Sequence, residues 1–202
     1  SGAIGRLVAI DALERVGYWH QAHSFVRGNW RSTKYTAPMI LAKCCHDLDL
    51  IQWYAKSKCR SVSSVGSLDF FKPECAPEGA HEHCTEECPA YSKCPYSIER
   101  YLHHAKEGNF GWPLDVVSPA TNYYDFRRDL LAGPYSRCVY HCDNNVVDHQ
   151  VVNLQFEDDL PISFSMCAFT NGSCGRRLHI MGTHGDLIAC TDDDQLKVSL
   201  FR

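Results

Sequence analysis

The residues of this chain best suited to do chemistry lie in Met39-Ile-Leu-Ala-Lys-Cys-Cys-His-Asp-Leu-Asp-Leu-Ile-Gln-Trp53. A lysine, a histidine and two aspartates fall between Lys43 and Asp49. Read as one helix, Thr36 to about Lys56 with Thr36 as its N-cap, the stretch puts Lys43, His46, Asp47 and Leu50 on one face. Met39, Leu41, Cys45, Leu48, Ile51 and Trp53 cover most of the rest. A helix that is apolar nearly all round is a buried helix, and charges on it must be paired or must face a cavity. An imidazole titrates near neutrality and a carboxylate beside it fixes its tautomer, so His46 with Lys43 is a candidate for proton transfer. The plain alternative is a Lys43–Asp47 ion pair with His46 bonded inside the core. Upstream, Trp19 to Lys34 is a polar and aromatic stretch, read either as a solvated loop with one buried tryptophan or as a binding loop on a rigid scaffold. His23, Arg27 and Trp30 from that stretch, with Asp47, are the candidates for lining a substrate pocket.

A second group could hold a metal. Lys72 to Pro113 contains five of the nine prolines and Cys75, Cys84, Cys88 and Cys94, with His81 and His83 among them. A structureless loop of that length is foreign to a compact domain, so something must tie it down. Tetrahedral zinc takes four sulfur or nitrogen ligands and contributes folding energy to a segment with little core of its own. Cys84, Cys88 and Cys94 supply three ligands. Cys75 is entered as the fourth, with His83 and Cys142 also eligible, and the site would be structural. Two disulfides, or free thiols in a proline-rich flap, are the alternatives.

The elements that must carry these groups follow from the pattern. The chain has 202 residues, 45 % apolar and 22 % charged, an ordinary globular composition with length enough for a real core. A net charge of −4 with scattered basic residues argues against nucleic acid as a partner. No leader pattern is visible and no apolar run nears the ~20 residues of a membrane span, so no membrane partner is expected. Twelve cysteines in a chain able to build a core fit a reducing, cytoplasmic setting, with some as ligands and others as small core residues; a secreted disulfide domain competes. Strands are expected at Ile4–Tyr18 and Cys59–Phe71, and helices at Ser97–Ala105 and Asn122–Leu131. A β-hairpin is expected over Val146–Phe156 and Leu160–Phe169, then strands at Arg176–Gly182, Gly185–Cys190 and Gln195–Phe201. This order predicts an α+β fold, an open and mostly antiparallel sheet with helices packed on one face, plus a Cys/Pro-rich excursion over 72–113. Neither a phosphate-cradling Gly-rich loop nor a dinucleotide fingerprint is present.

Cys45-His-Asp-Leu-Asp-Leu-Ile-Gln-Trp53 resembles the helix of the Gfo/Idh/MocA family of NAD(P)-dependent oxidoreductases, where a His-Asp-x-Asp-Leu run begins with the substrate-facing histidine. Ala22–Arg31, Gly133–Tyr140, Asp143–Gln150 and Gly182–Leu187 resemble one branch of that family as well. The resemblance covers essentially the whole chain in order. It implies that residues 1–202 form the C-terminal substrate-binding and oligomerisation domain of an oxidoreductase, with 72–113 inserted in it. An N-terminal Rossmann domain outside this sequence would bind NAD or NADP, so residues 1–202 alone would be inactive. The implied substrate is a sugar, polyol or inositol-like hydroxyl or carbonyl compound, and the implied assembly is a homo-oligomer formed through the sheet. His46 matches the catalytic histidine, as proton donor or acceptor. The family often has an aspartate one helical turn earlier, where this chain has Ala42 followed by Lys43, so Lys43 is entered as a substrate-binding or acid/base group. The competing function is a non-enzymatic, zinc-stabilised binding module.

Overall fold

The computed structural model describes residues 2–172, 174–192 and 194–201. Seven strands form one open sheet: β1 (Leu7–Gly17), β2 (Cys59–Ser67), β3 (His149–Phe156), β4 (Pro161–Thr170), β5 (Gly175–Gly182), β6 (Gly185–Cys190) and β7 (Gln195–Leu200). They lie in the order β2-β3-β4-β1-β5-β6-β7, and every pairing is antiparallel except β1 with β4. Alternation sets the two faces. On β1 the positions Ile10, Ala12, Glu14 and Val16 are buried, and on β4 Ile162, Phe164, Met166 and Ala168 are buried. The expected hairpin is present, and its turn places Asp159 at φ 55°, a left-handed conformation that a short polar side chain tolerates.

Helices cover the buried face. α1 (Tyr18–His20) runs directly into π-helical turns over Gln21–Arg27. α2 (Met39–Ala42) and α3 (Cys45–Ala55) follow, then α4 (Glu99–Lys106), α5 (Leu114–Val117) and α6 (Tyr123–Ala132). The side chain of Asn122 accepts the Asp125 N–H at 3.0 Å and caps α6, and Gly133 follows its last turn. The main core joins sheet residues to Phe25, Met39, Cys44, Ile51 and Ala55. A second cluster joins Trp19 to Ile98, Tyr101, Leu114, Phe126 and Leu130, so the 72–113 excursion packs over the start of the first helix.

Three expectations are corrected. Trp19 to Arg27 is buried helix, because Trp19, His23 and Arg27 recur every fourth residue on one inward face. The Thr36–Lys56 segment is two helices, broken by a turn at Lys43–Cys44, and Thr36 Oγ1 donates to the Ser32 carbonyl rather than capping. α3 is also not buried all round: Asp47, Ile51 and Ala55 face inward, while Trp53 is 66 % exposed. No disulfide is present; all twelve cysteines are free.

Candidate functional site

The turn at Lys43–Cys44 decides what the first candidate group does. It drops Cys44 into the core, where burial pushes its thiol up to about 12. It sends Lys43 back toward the sheet, where its Nζ lies 2.6 Å from Glu14 Oε1. Glu14 is 1 % exposed and stands opposite Arg176 in the β1–β5 register. Arg176 Nε lies 3.5 Å from Glu14 Oε2 and donates to Asp47 Oδ1 at 2.7 Å. Two cations and two carboxylates thus interlock beneath α3, which balances their charge in a drying environment. Burial raises the Glu14 pKa above the ordinary carboxylate value, with the nearby Asp47 charge adding and the Lys43 hydrogen bond opposing. Burial works against the Lys43 ammonium, but its hydrogen bond and attraction to Glu14 outweigh that, so Lys43 is held above its ordinary value.

His46 and Asp49 lie on the outer side of α3 and are exposed. His46 and Asp47 therefore point in different directions: Asp47 anchors the helix to β5 and His46 is presented to solvent. Lys43 is held by Glu14 and retains a side chain 18 % exposed. Close by, His20 is half-buried against Phe25 and Trp112, with ring centroids 6.0 and 5.4 Å away. Burial, then the Lys43 charge, lowers its pKa to about 4, so it is a neutral imidazole at physiological pH.

His23 and Arg27 are each 1 % exposed. His23 is stacked on Trp19 and Tyr135, shares a 2.7 Å hydrogen bond with the Tyr101 hydroxyl, and is lowered to about 4 by burial, His20 and Arg27. Arg27 donates from Nε to the Arg137 carbonyl and from Nη2 to the Tyr96 carbonyl, both at 2.7 Å. As the fold stands, both act inside the protein and not on its surface, and Asp47 is likewise taken up by Arg176. Trp30 is 46 % exposed. Glu14, Arg176 and His20 complete the cluster, and none of the three is a site residue by sequence spacing. A signal for Glu14 existed: it is the one carboxylate on the inward parity of β1, between Ala12 and Val16.

The metal set expected from Cys75, Cys84, Cys88 and Cys94 is not assembled. Among the described residues no group of three or more His, Cys, Asp or Glu side chains is arranged to hold an ion. Cys75 donates toward the Asp69 carbonyl at 3.5 Å, whereas Cys84, Cys88 and Cys94 border a small cavity together with Cys138. No described helix is long and apolar enough to cross a membrane.

Comparison with known proteins gives this architecture a family. The model of the oxidoreductase family C-terminal alpha/beta domain, Gfo/Idh/MocA type, matches residues 1–201. YteT of Bacillus subtilis (strain 168), named as a candidate oxidoreductase, is 24 % identical over 188 residues, which is 91 % of this chain and 42 % of YteT. Levoglucosan dehydrogenase in complex with NADH and L-sorbose superposes with a TM-score of 0.56 at 15 % identity, over 98 % of this chain and 37 % of that one. An NAD-binding oxidoreductase from Klebsiella pneumoniae superposes with a TM-score of 0.58 at 13 % identity, over 100 % of this chain and 37 % of that one. The chain thus spans about two-fifths of the length of these relatives. With the open sheet, its helical cover and a family match along its length, the chain belongs to the Gfo/Idh/MocA oxidoreductases and corresponds to their C-terminal alpha/beta domain.

Proposed function

We propose that residues 1–202 are the substrate-binding and oligomerisation domain of a nicotinamide-dependent oxidoreductase that acts on a sugar, polyol or inositol-like hydroxyl or carbonyl. The observation that carries this reading is the presentation of His46. The inner side of α3 is pinned to the sheet by Asp47 and Arg176, and its outer side offers an unburied imidazole. A helix held that firmly fixes a proton-transfer group to within the tolerance that chemistry requires. The sequence of residues 1–202 carries no dinucleotide fingerprint; NAD or NADP, carried by a Rossmann domain outside them, would supply hydride transfer. His46 would give or take the proton at the substrate oxygen. Lys43, held by Glu14, would fix the charge beside it and favour an oxygen-rich or anionic substrate. Trp30 remains a candidate for packing on the substrate, while His23, Arg27 and Asp47 support the site from within.

In the full-length enzyme, His46→Ala is expected to lower kcat by about 10²–10⁴-fold, the usual worth of a general acid–base group. Its urea midpoint should stay near the parent value. Equal proportional losses of turnover and stability would return His46 to an ordinary surface role. Residues 1–202 alone are expected to show no NAD(H) heat in calorimetry. The outer face of the sheet exposes Val65 and Val151, paired across β2 and β3, and is proposed as the homo-oligomer contact. Val65→Glu should then shift light scattering toward the monomer.

A further inference from the structure

We propose that Cys84, Cys88, Cys94 and Cys138 together hold one thiophilic divalent ion, zinc by the chemistry of the donors, with Arg27 as its buried counter-charge. The argument begins at Arg27. Two of its nitrogens are bonded to carbonyl oxygens, and the third, Nη1, is buried without a partner. None of the ion pairs among the described residues includes it. A guanidinium cannot lose its charge by releasing a proton, so the fold holds a dry cation with no anion beside it. Arg27 borders the cavity that Cys84, Cys88, Cys94 and Cys138 also line. Four thiolates around a divalent ion carry a net charge of about −2, the anion that this guanidinium lacks. Loading is balanced: four thiols and one M²⁺ give an M(S)₄ centre of charge 2−, and four protons leave to solvent.

The backbone already frames such a centre. Cys84 N–H donates to the Ser136 carbonyl at 2.6 Å, and Cys138 N–H donates to the Glu82 carbonyl at 2.8 Å. His83 and Arg137 between them form an antiparallel bridge, which sets Cys84 opposite Ser136 and Cys138 opposite Glu82, so the two cysteines are diagonal neighbours on one face of it. Cys88 and Cys94 follow in tight turns closed by N–H bonds to Thr85 and Ala90. Ile98 N–H donates to Cys84 Sγ at 3.4 Å, the kind of bond that stabilises a thiolate ligand. The cavity measures about 20 Å³, room for one ion. The thiols ring it without converging, so binding turns their side chains inward on this frame. Cys75, outside the cavity, is not a ligand.

The test uses the complete protein, produced in zinc-supplemented medium and purified reduced. Metal analysis is expected to give close to one zinc per chain, and X-ray absorption on the unsubstituted protein should show four sulfur neighbours at about 2.3 Å. Cys138→Ser should lose the ion and Cys75→Ser should keep it. Arg27→Gln should release zinc to a competing chelator at an affinity about tenfold weaker or more, as removal of an outer partner usually does. Metal-free protein, nitrogen or oxygen neighbours in the absorption spectrum, sulfide-bridged iron, or loss of the ion in Cys75→Ser instead of Cys138→Ser would each overturn the assignment. These readouts are independent of turnover, so they stand or fall apart from the role given to His46.

Discussion

The junction of α3 with the sheet and the cysteine-rich excursion both take cations away from water, and they solve the problem differently. At the junction, Lys43 and Arg176 meet Glu14 and Asp47, so charge is cancelled by side chains the strands themselves deliver. Under the excursion, Arg27 donates to two carbonyls, lies near the Tyr101 hydroxyl and borders a cavity lined by four cysteines, with no carboxylate paired to it among the described residues. Dipoles satisfy hydrogen-bond geometry but supply no net charge. A cluster that is closed on itself needs nothing further, whereas one left cationic calls for an anion from outside. The difference separates a positioning device from a binding site by charge alone, before any ligand is seen.

The largest expected effect breaks the closed cluster. Glu14→Ala leaves Lys43 with no carboxylate and should cost about 3–5 kcal/mol in urea unfolding, the usual result of removing one member of a buried ion network. A loss no larger than that of an exposed residue would show that the junction is wet. The next effect reads the aromatic layer between the two regions. His20 and His23 both lie near pKa 4 in the folded protein against an ordinary 6.5. The folded state therefore resists their protons. Stability should be complete above about pH 6.5, fall as the pH drops toward 4, and level off below that. The fully buried His23 alone accounts for on the order of 3 kcal/mol of this fall. A Tm that is flat between pH 7 and 4.5 would mean that the layer admits water. A third measurement sharpens the contrast: a chelator should lower the Tm of the metal-loaded parent by several degrees and that of Glu14→Gln by a similar further step, since the two regions are independent. Strongly non-additive losses would join them. The smallest effect lies in neither region. Asn122→Ala should cost about 1 kcal/mol through loss of the α6 cap and should leave metal content and turnover alone.

Much of the sheet was legible because period-two alternation is a local signal. The hairpin of β3 and β4 and the three strands that follow appear close to their expected limits. So does α6, which its own cap and Gly133 mark. The 72–113 excursion stands out by proline and cysteine alone. What failed was everything set by distant partners. The break at Lys43–Cys44 turns Lys43 onto Glu14, a partner far back on β1. The helix over Trp19–Arg27 is polar by composition and buried only because α4 and the 134–140 segment fold over it. Cys138 joins the other cysteines through its N–H bond to the Glu82 carbonyl, next to the Arg137–His83 bridge, a contact that no spacing rule contains. Family resemblance singled out His46 for a catalytic role, and helical spacing put it on one face with Asp47, whereas Asp47 turns inward to Arg176 and His46 is exposed.

The place of β1 in the sheet has a consequence for how the chain reaches this fold. Ile10 pairs with Ile162 on one side and Ile180 on the other, so the central strand can close only after segments far along the chain have formed. Such a topology is rich in non-local pairings, and folding is expected to be slow, on the order of milliseconds to seconds. Until then β1 waits with both hydrogen-bonding edges open, a template for mispairing between chains. Glu14, a charge in the middle of its apolar face, makes that waiting strand a poor partner for copies of itself. The carboxylate that later anchors Lys43 would thus also guard the chain during assembly.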